Sequence, residues 1–128
     1  PTYTFLFRGV STQEDRARMG AWWTTNPYYA LAFANGGTGR MFVAKVDTAS
    51  LSDIAKDVSQ DEDYKNYGFV DNDPVDARPV SSEEIEALMA VSQGESIEGH
   101  SSDLPGGPFM KTPSDPVEIG KKVFGSNF

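Results

Sequence analysis

A chain of 128 residues is long enough for one domain around a single core and short for two. Its formal net charge of −8 speaks against a protein that tracks nucleic-acid phosphates along a basic face, while leaving room for a small local basic pocket or for docking to a basic partner. The absence of cysteine excludes disulfides, thiolate metal sites and cysteine nucleophiles, and the single histidine, His100, excludes a multi-histidine metal centre.

With 38% hydrophobic and 23% charged residues the chain has the composition of a folded globular protein. No run approaches the roughly 18 apolar residues of a membrane span. No stretch at the start reads as a signal peptide, so a cytoplasmic location is the expectation.

In chain order, Thr2 to Gly9 (TYTFLFRG) is a β-branched and aromatic run closed by glycine, which predicts a buried strand. Ser11 and Glu14 have the spacing of a capping box and predict a short helix. A second short strand, GAWWTT, follows from Gly20. Asn26 is a natural N-cap, Pro27 suits the first helical position and Gly36 suits the stop, so a helix is predicted between them, with Tyr29, Ala30, Phe33 and Ala34 at helical spacing. Gly39 to Asp47 (GRMFVAKVD) reads as the clearest interior strand.

Ser50 to Val58 is predicted as a short helix, SQDEDYKN as a solvated acidic loop that, with ARMG (Ala17 to Gly20), is a candidate rim of a site, and Tyr67 to Val70 as a short strand. The turn-rich DNDPVDARPV has room for another strand. Ser81 and Glu84 frame a capped amphipathic helix, SSEEIEALMA. Residues 92–116, rich in glycine, serine and proline, predict a long irregular segment within the same domain. The closing VEIGKKVF carries strand character. Short strands and short helices, mixed but not strictly alternating, predict an α+β fold.

The order of motifs over the first 47 residues resembles the ADP-ribosyltransferase fold family, in the branch marked by an arginine, a Ser-Thr-Ser-like motif and a glutamate. The residues that carry it are FRG with Arg8, the aromatic hydroxyl strand WWTTN, the helix PYYALAFA and the strand MFVAKV. Taken singly, each has a plainer explanation: Arg8 as a surface ion-pair partner, Thr24 and Thr25 as β-formers ahead of a cap. Their order is what carries the resemblance.

The resemblance implies a compact core of short mixed strands and short helices that binds NAD+ as its cofactor. Arg8 would hold a phosphate or ribose with its fork of donors. Gly9 would let the backbone approach the nicotinamide amide. Thr24 would order the site, and Thr25 and Asn26 would support the strand-to-helix corner. The aromatics Trp22, Trp23, Tyr28, Tyr29 and Phe33 would divide between the core and a wall against the nicotinamide.

A late glutamate would stabilise the charge that develops as nicotinamide leaves. Glu118 is the preferred position, with Asp76 and Glu95 as alternatives. Pro116 stands where the family's arginine-specific members carry a second acidic or glutamine residue. The implied activity is mono-ADP-ribosyl transfer to a macromolecular acceptor, a protein first and a nucleic acid second, with no metal and no membrane, in the manner of a toxin, an effector or a phage-encoded modifier. Two alternatives stand beside it. One is an NAD+ hydrolase. The other is a non-catalytic module of the same fold that docks a basic partner protein.

Overall fold

In the computed structural model, residues 2–10, 22–34, 39–60, 64–69, 77–94 and 115–125 are described. The helix predicted from Ser11, the stop at Gly36, and Asp76, Glu95 and His100 lie outside them.

The first strand, β1 (Tyr3–Val10), is paired along its whole length with β3 (Arg40–Asp47), antiparallel, from Tyr3 opposite Asp47 to Val10 opposite Arg40. Around this pair the sheet grows in both directions. β2 (Trp22–Thr24) flanks β1 and is followed outward by β5 (Asn66–Phe69) and β4 (Ala55–Asp57). β6 (Arg78–Pro79) adds two residues beside β3. The sheet is antiparallel throughout, in the order β4-β5-β2-β1-β3-β6.

Both faces of the sheet are covered, which explains why Met41 to Ala44 in β3 form a continuous buried run and do not alternate. Phe5 and Phe7 of β1 and Met41 and Val43 of β3 point to one layer, together with Tyr28, Leu31, Leu88, Ile119 and Phe124. That layer holds α1 (Pro27–Phe33), α3 (Ser82–Gly94) and α4 (Pro116–Gly125). Leu6, Trp23, Phe42, Ala44, Val46 and Phe69 point to the other layer, where Leu51 of α2 (Thr48–Ile54) closes the core. The fold is therefore mixed α+β, with four helices among the described residues, as the composition of the elements predicted. No described helix is long and apolar enough to cross a membrane.

Local capping chemistry accounts for the helix starts. Asn26 Oδ1 accepts from the N–H groups of Tyr28 (2.9 Å) and Tyr29 (3.3 Å), and Pro27 occupies the first turn, where its missing N–H costs nothing. Asp47 caps α2 through Ala49 N–H. This helix starts two residues before the predicted Ser50 and ends at Ile54, because Ala55–Asp57 join the sheet instead, pairing with β5.

Two further expectations are corrected. α3 extends to Gly94 and α4 starts at Pro116, so both ends of the segment predicted as irregular, residues 92–94 and 116, are helical, and residues 95–114 lie outside the described residues. The closing VEIGKKVF is helix, not strand. Its buried residues, Pro116, Ile119, Gly120 and Phe124, recur at helical spacing, and Gly120 serves as packing surface for Phe7 and Pro27.

The capping box at α3 forms reciprocally. Glu84 N–H donates to Ser81 Oγ (3.2 Å) and Ser81 N–H donates to Glu84 Oε1 (2.9 Å). Arg78 of β6 adds a bidentate pair to the same carboxylate, both bonds 3.0 Å. Burial alone would raise the pKa of Glu84, but the bonds from Arg78 and Ser81 outweigh it and hold the group below the ordinary glutamate value. A depressed folded value stabilises above the unfolded pKa of about 4.3, and this stability is lost as pH falls through the folded value. Glu84→Gln is expected to cost about 2 kcal/mol at neutral pH. Urea midpoints measured between about pH 7 and pH 3 should converge for the two proteins at the acid end. A constant gap across that range would assign the loss to packing and not to the charge.

Candidate functional site

The sheet splits between β1 and β2. The two strands share one register pair, Phe7 opposite Thr24. The next pairs in that register, Arg8 with Trp23 and Gly9 with Trp22, are not joined, and a cavity of about 220 Å³ opens there.

Arg8 and Gly9 form one lip of the cleft and Trp22, Trp23 and Thr24 the other. Tyr29, Ala30 and Phe33 come from α1, and Asn66 from β5. Arg8 bridges the split, its Nη1 donating to the Trp22 carbonyl at 3.3 Å.

The strand periodicity and the helix periodicity together sort the aromatics. Tyr28 is fully buried, and its hydroxyl donates to the Leu88 carbonyl at 2.6 Å, so it belongs to the core. Tyr29 and Phe33, one helical turn apart, stack edge to face with centroids 5.0 Å apart on the cleft side. Trp22 is 63% exposed at the lip, while Trp23 is buried against Phe69. The lining is therefore mostly apolar, with Arg8, Thr24 and Asn66 as its polar members.

The structure thus brings Arg8, Gly9, Trp22, Trp23, Thr24, Tyr29 and Phe33 into one cleft. It places the other two predicted site residues elsewhere. Thr25 faces Lys65: its Oγ1 accepts from Lys65 N–H (2.9 Å), and its own N–H donates to the Lys65 carbonyl (2.9 Å). This reciprocal pair pins the end of β2 to the chain entering β5. Glu118 lies in the first turn of α4, with 63% of its side chain exposed, 3.4 Å from Lys121, and does not line the cleft.

Gly9 has a structural reason of its own. A Cβ there would overlap the Ala30 carbonyl of α1 and lie 2.9 Å from the Ala34 nitrogen. Glycine at this position is what lets α1 sit directly against β1.

Asn66, the last residue of the SQDEDYKN stretch that reads as a candidate rim, lines the cleft, while Phe7 and Ala30 join the lining without having been singled out for it. What sequence does not give is the sheet position of Asn66. Its partner across the sheet is Thr24, 42 positions earlier, and no local pattern marks it. The Thr24 hydroxyl is turned to the corner, accepting from Asn26 N–H at 3.1 Å. Among the described residues lining the cleft there is no carboxylate, and no described cluster of acidic or histidine side chains could hold a metal ion.

No family model, no curated protein and no solved structure matches the chain.

Proposed function

We propose that the cleft between β1 and β2 binds NAD+, and that the chain is an NAD-dependent mono-ADP-ribosyltransferase built on an ADP-ribosyltransferase-like core. In this reading the nicotinamide–ribosyl bond breaks and ADP-ribose passes to a macromolecular acceptor. The observation that carries it is the convergence of seven residues, chosen for NAD+ chemistry from their order in the sequence, on one split in the sheet.

At about 220 Å³ the cavity is smaller than the roughly 300–1,000 Å³ usual for whole small-molecule ligands, so it fits a nicotinamide ring and part of its ribose. The ring would lie among Trp22, Tyr29 and Phe33. The rest of the dinucleotide would leave past Arg8, whose guanidinium suits a phosphate. Glu118, exposed on α4, does not contribute to the cleft, so the acid of this reading passes to Asp76 or Glu95.

The absence of a carboxylate among the described lining residues favours a second reading. A non-catalytic module of the same fold would hold the nucleotide without cleaving it, and its acidic surface would dock a basic partner protein.

One experiment separates these readings. Purified protein is incubated with NAD+ labelled in the nicotinamide ring, with and without cell lysate, and free nicotinamide and bound NAD+ are measured. Release that requires lysate and leaves a modified macromolecule supports transfer. Release in buffer alone, with free ADP-ribose, supports hydrolysis. Binding without release supports the non-catalytic module. Neither binding nor release removes NAD+ as the ligand.

A further inference from the structure

Asn66 has no part in the chemistry proposed above, yet it is a tightly held polar residue of the cleft. Only 8% of it is exposed. On the side away from β2, its N–H donates to Ser59 Oγ (2.8 Å), and its carbonyl accepts from the Ser59 hydroxyl (3.3 Å) and from Val58 N–H (2.9 Å). On the other side it is in register with Thr24, and the preceding residue, Lys65, is locked to Thr25. The backbone is thus held from both flanks. The side-chain Oδ1 is nevertheless buried with no hydrogen-bond partner among the described residues.

Buried polar atoms in folded proteins are nearly always satisfied, and one left over on a residue that lines a cleft points to a partner that enters from outside. The atom is an acceptor on a neutral side chain, so what it selects is a donor and not a charge. We infer that Asn66 is the specificity-determining acceptor of the cleft, its Oδ1 taking a hydrogen bond from a neutral O–H or N–H of the bound ligand. The identity of the ligand rests on the NAD+ reading; the need for a donor rests on Asn66 itself. At the nicotinamide end of NAD+, the donors are the carboxamide N–H₂ and the adjacent ribose hydroxyls. An analogue that lacks the donor leaves the buried acceptor unpaired and is rejected for that reason.

The test uses intrinsic fluorescence, because the chain's only two tryptophans, Trp22 and Trp23, both line the cleft. Wild type, Asn66→Ala and the near-isosteric Asn66→Asp are each titrated with NAD+, with the analogue whose carboxamide is a carboxylate, and with the analogue lacking the 2′-hydroxyl of the nicotinamide ribose. Thermal unfolding confirms that each variant is folded. Wild type is expected to prefer NAD+ about tenfold over one of the two analogues, and which one it disfavours identifies the donor. Asn66→Ala should lose that preference, and Asn66→Asp, which keeps an acceptor in place, should retain it.

The assignment is overturned if folded Asn66→Ala discriminates as wild type does, or if wild type discriminates against neither analogue. Failure of NAD+ to bind wild type at all is a separate outcome, which overturns the NAD+ reading and this assignment with it.

Discussion

Gly9→Ala is expected to destabilise the protein by about 3 kcal/mol, and Gly9→Val to leave no cooperative unfolding transition. The added Cβ would overlap the Ala30 carbonyl and crowd the Ala34 nitrogen at 2.9 Å. These are backbone atoms, bonded to each other at 3.1 Å where α1 ends. Neither can yield as a flexible side chain would. β1 cannot retreat either, because it is laddered to β3 from end to end.

Gly68→Ala is the control. A Cβ there meets the Trp22 side chain and Val58 at an ordinary 3.9 Å, so its cost should stay under about 1 kcal/mol. Urea midpoints at unchanged denaturant slope measure both. If Gly9→Ala unfolds with the midpoint of Gly68→Ala, the contact between α1 and β1 is looser than its geometry indicates.

Gly9 also has a structural reason beside the one the resemblance implies. The sequence placed glycine after the strand-end arginine, and the resemblance explained it by a close approach of ligand to backbone. The structure adds a close approach of helix to backbone at the same position. The structural demand falls on Gly9 because α1 follows β2 directly and turns back over β1.

What was legible in the sequence was local. The Asn26-Pro27 start of α1 and the Ser81–Glu84 box of α3 each lie within a few residues of what they cap, and both formed as their spacing implied. The Tyr29–Phe33 pair was legible for the same reason, since one helical turn puts both rings on one side. What was not legible depended on distant partners. α4 was read as strand because Val117 and Ile119 alternate as strand residues do. Its helical stripe appears only when Gly120 counts as a contact surface, which requires knowing that Phe7 and Pro27 press against it. β4 reads from sequence as part of the preceding helix because its ladder partners in β5 lie ten to fourteen positions later. The SQDEDYKN stretch, which ends at Asn66, reads from sequence as a loop at the rim of a site, but the particular place of Asn66 in the cleft wall is not legible, since it comes from Thr24 across the sheet.

The separation of β1 and β2 makes Arg8 the residue whose loss should be felt most in function. Arg8→Ala is expected to weaken NAD+ binding roughly a hundredfold, about 3 kcal/mol, and to abolish any nicotinamide release. The side chain stands where the two strands part, and Nη1 already reaches across to the Trp22 carbonyl. In the NAD+ reading it therefore combines two tasks, holding the lips in relation to each other and offering charged donors to the part of the ligand that leaves the cavity.

The two tasks separate experimentally. The bond to Trp22 is long and exposed, so its loss should change global stability by no more than about 1 kcal/mol. Loss of phosphate recognition should instead remove the salt dependence of binding: wild-type affinity should fall as ionic strength rises, and the Arg8→Ala titration should be nearly flat. Arg8→Lys keeps the charge but not the planar fork, so it should restore the salt dependence and only part of the affinity. Wild-type affinity in folded Arg8→Ala would show that the cleft binds its ligand without the arginine, and the NAD+ reading would lose its only cationic contact among the described lining residues.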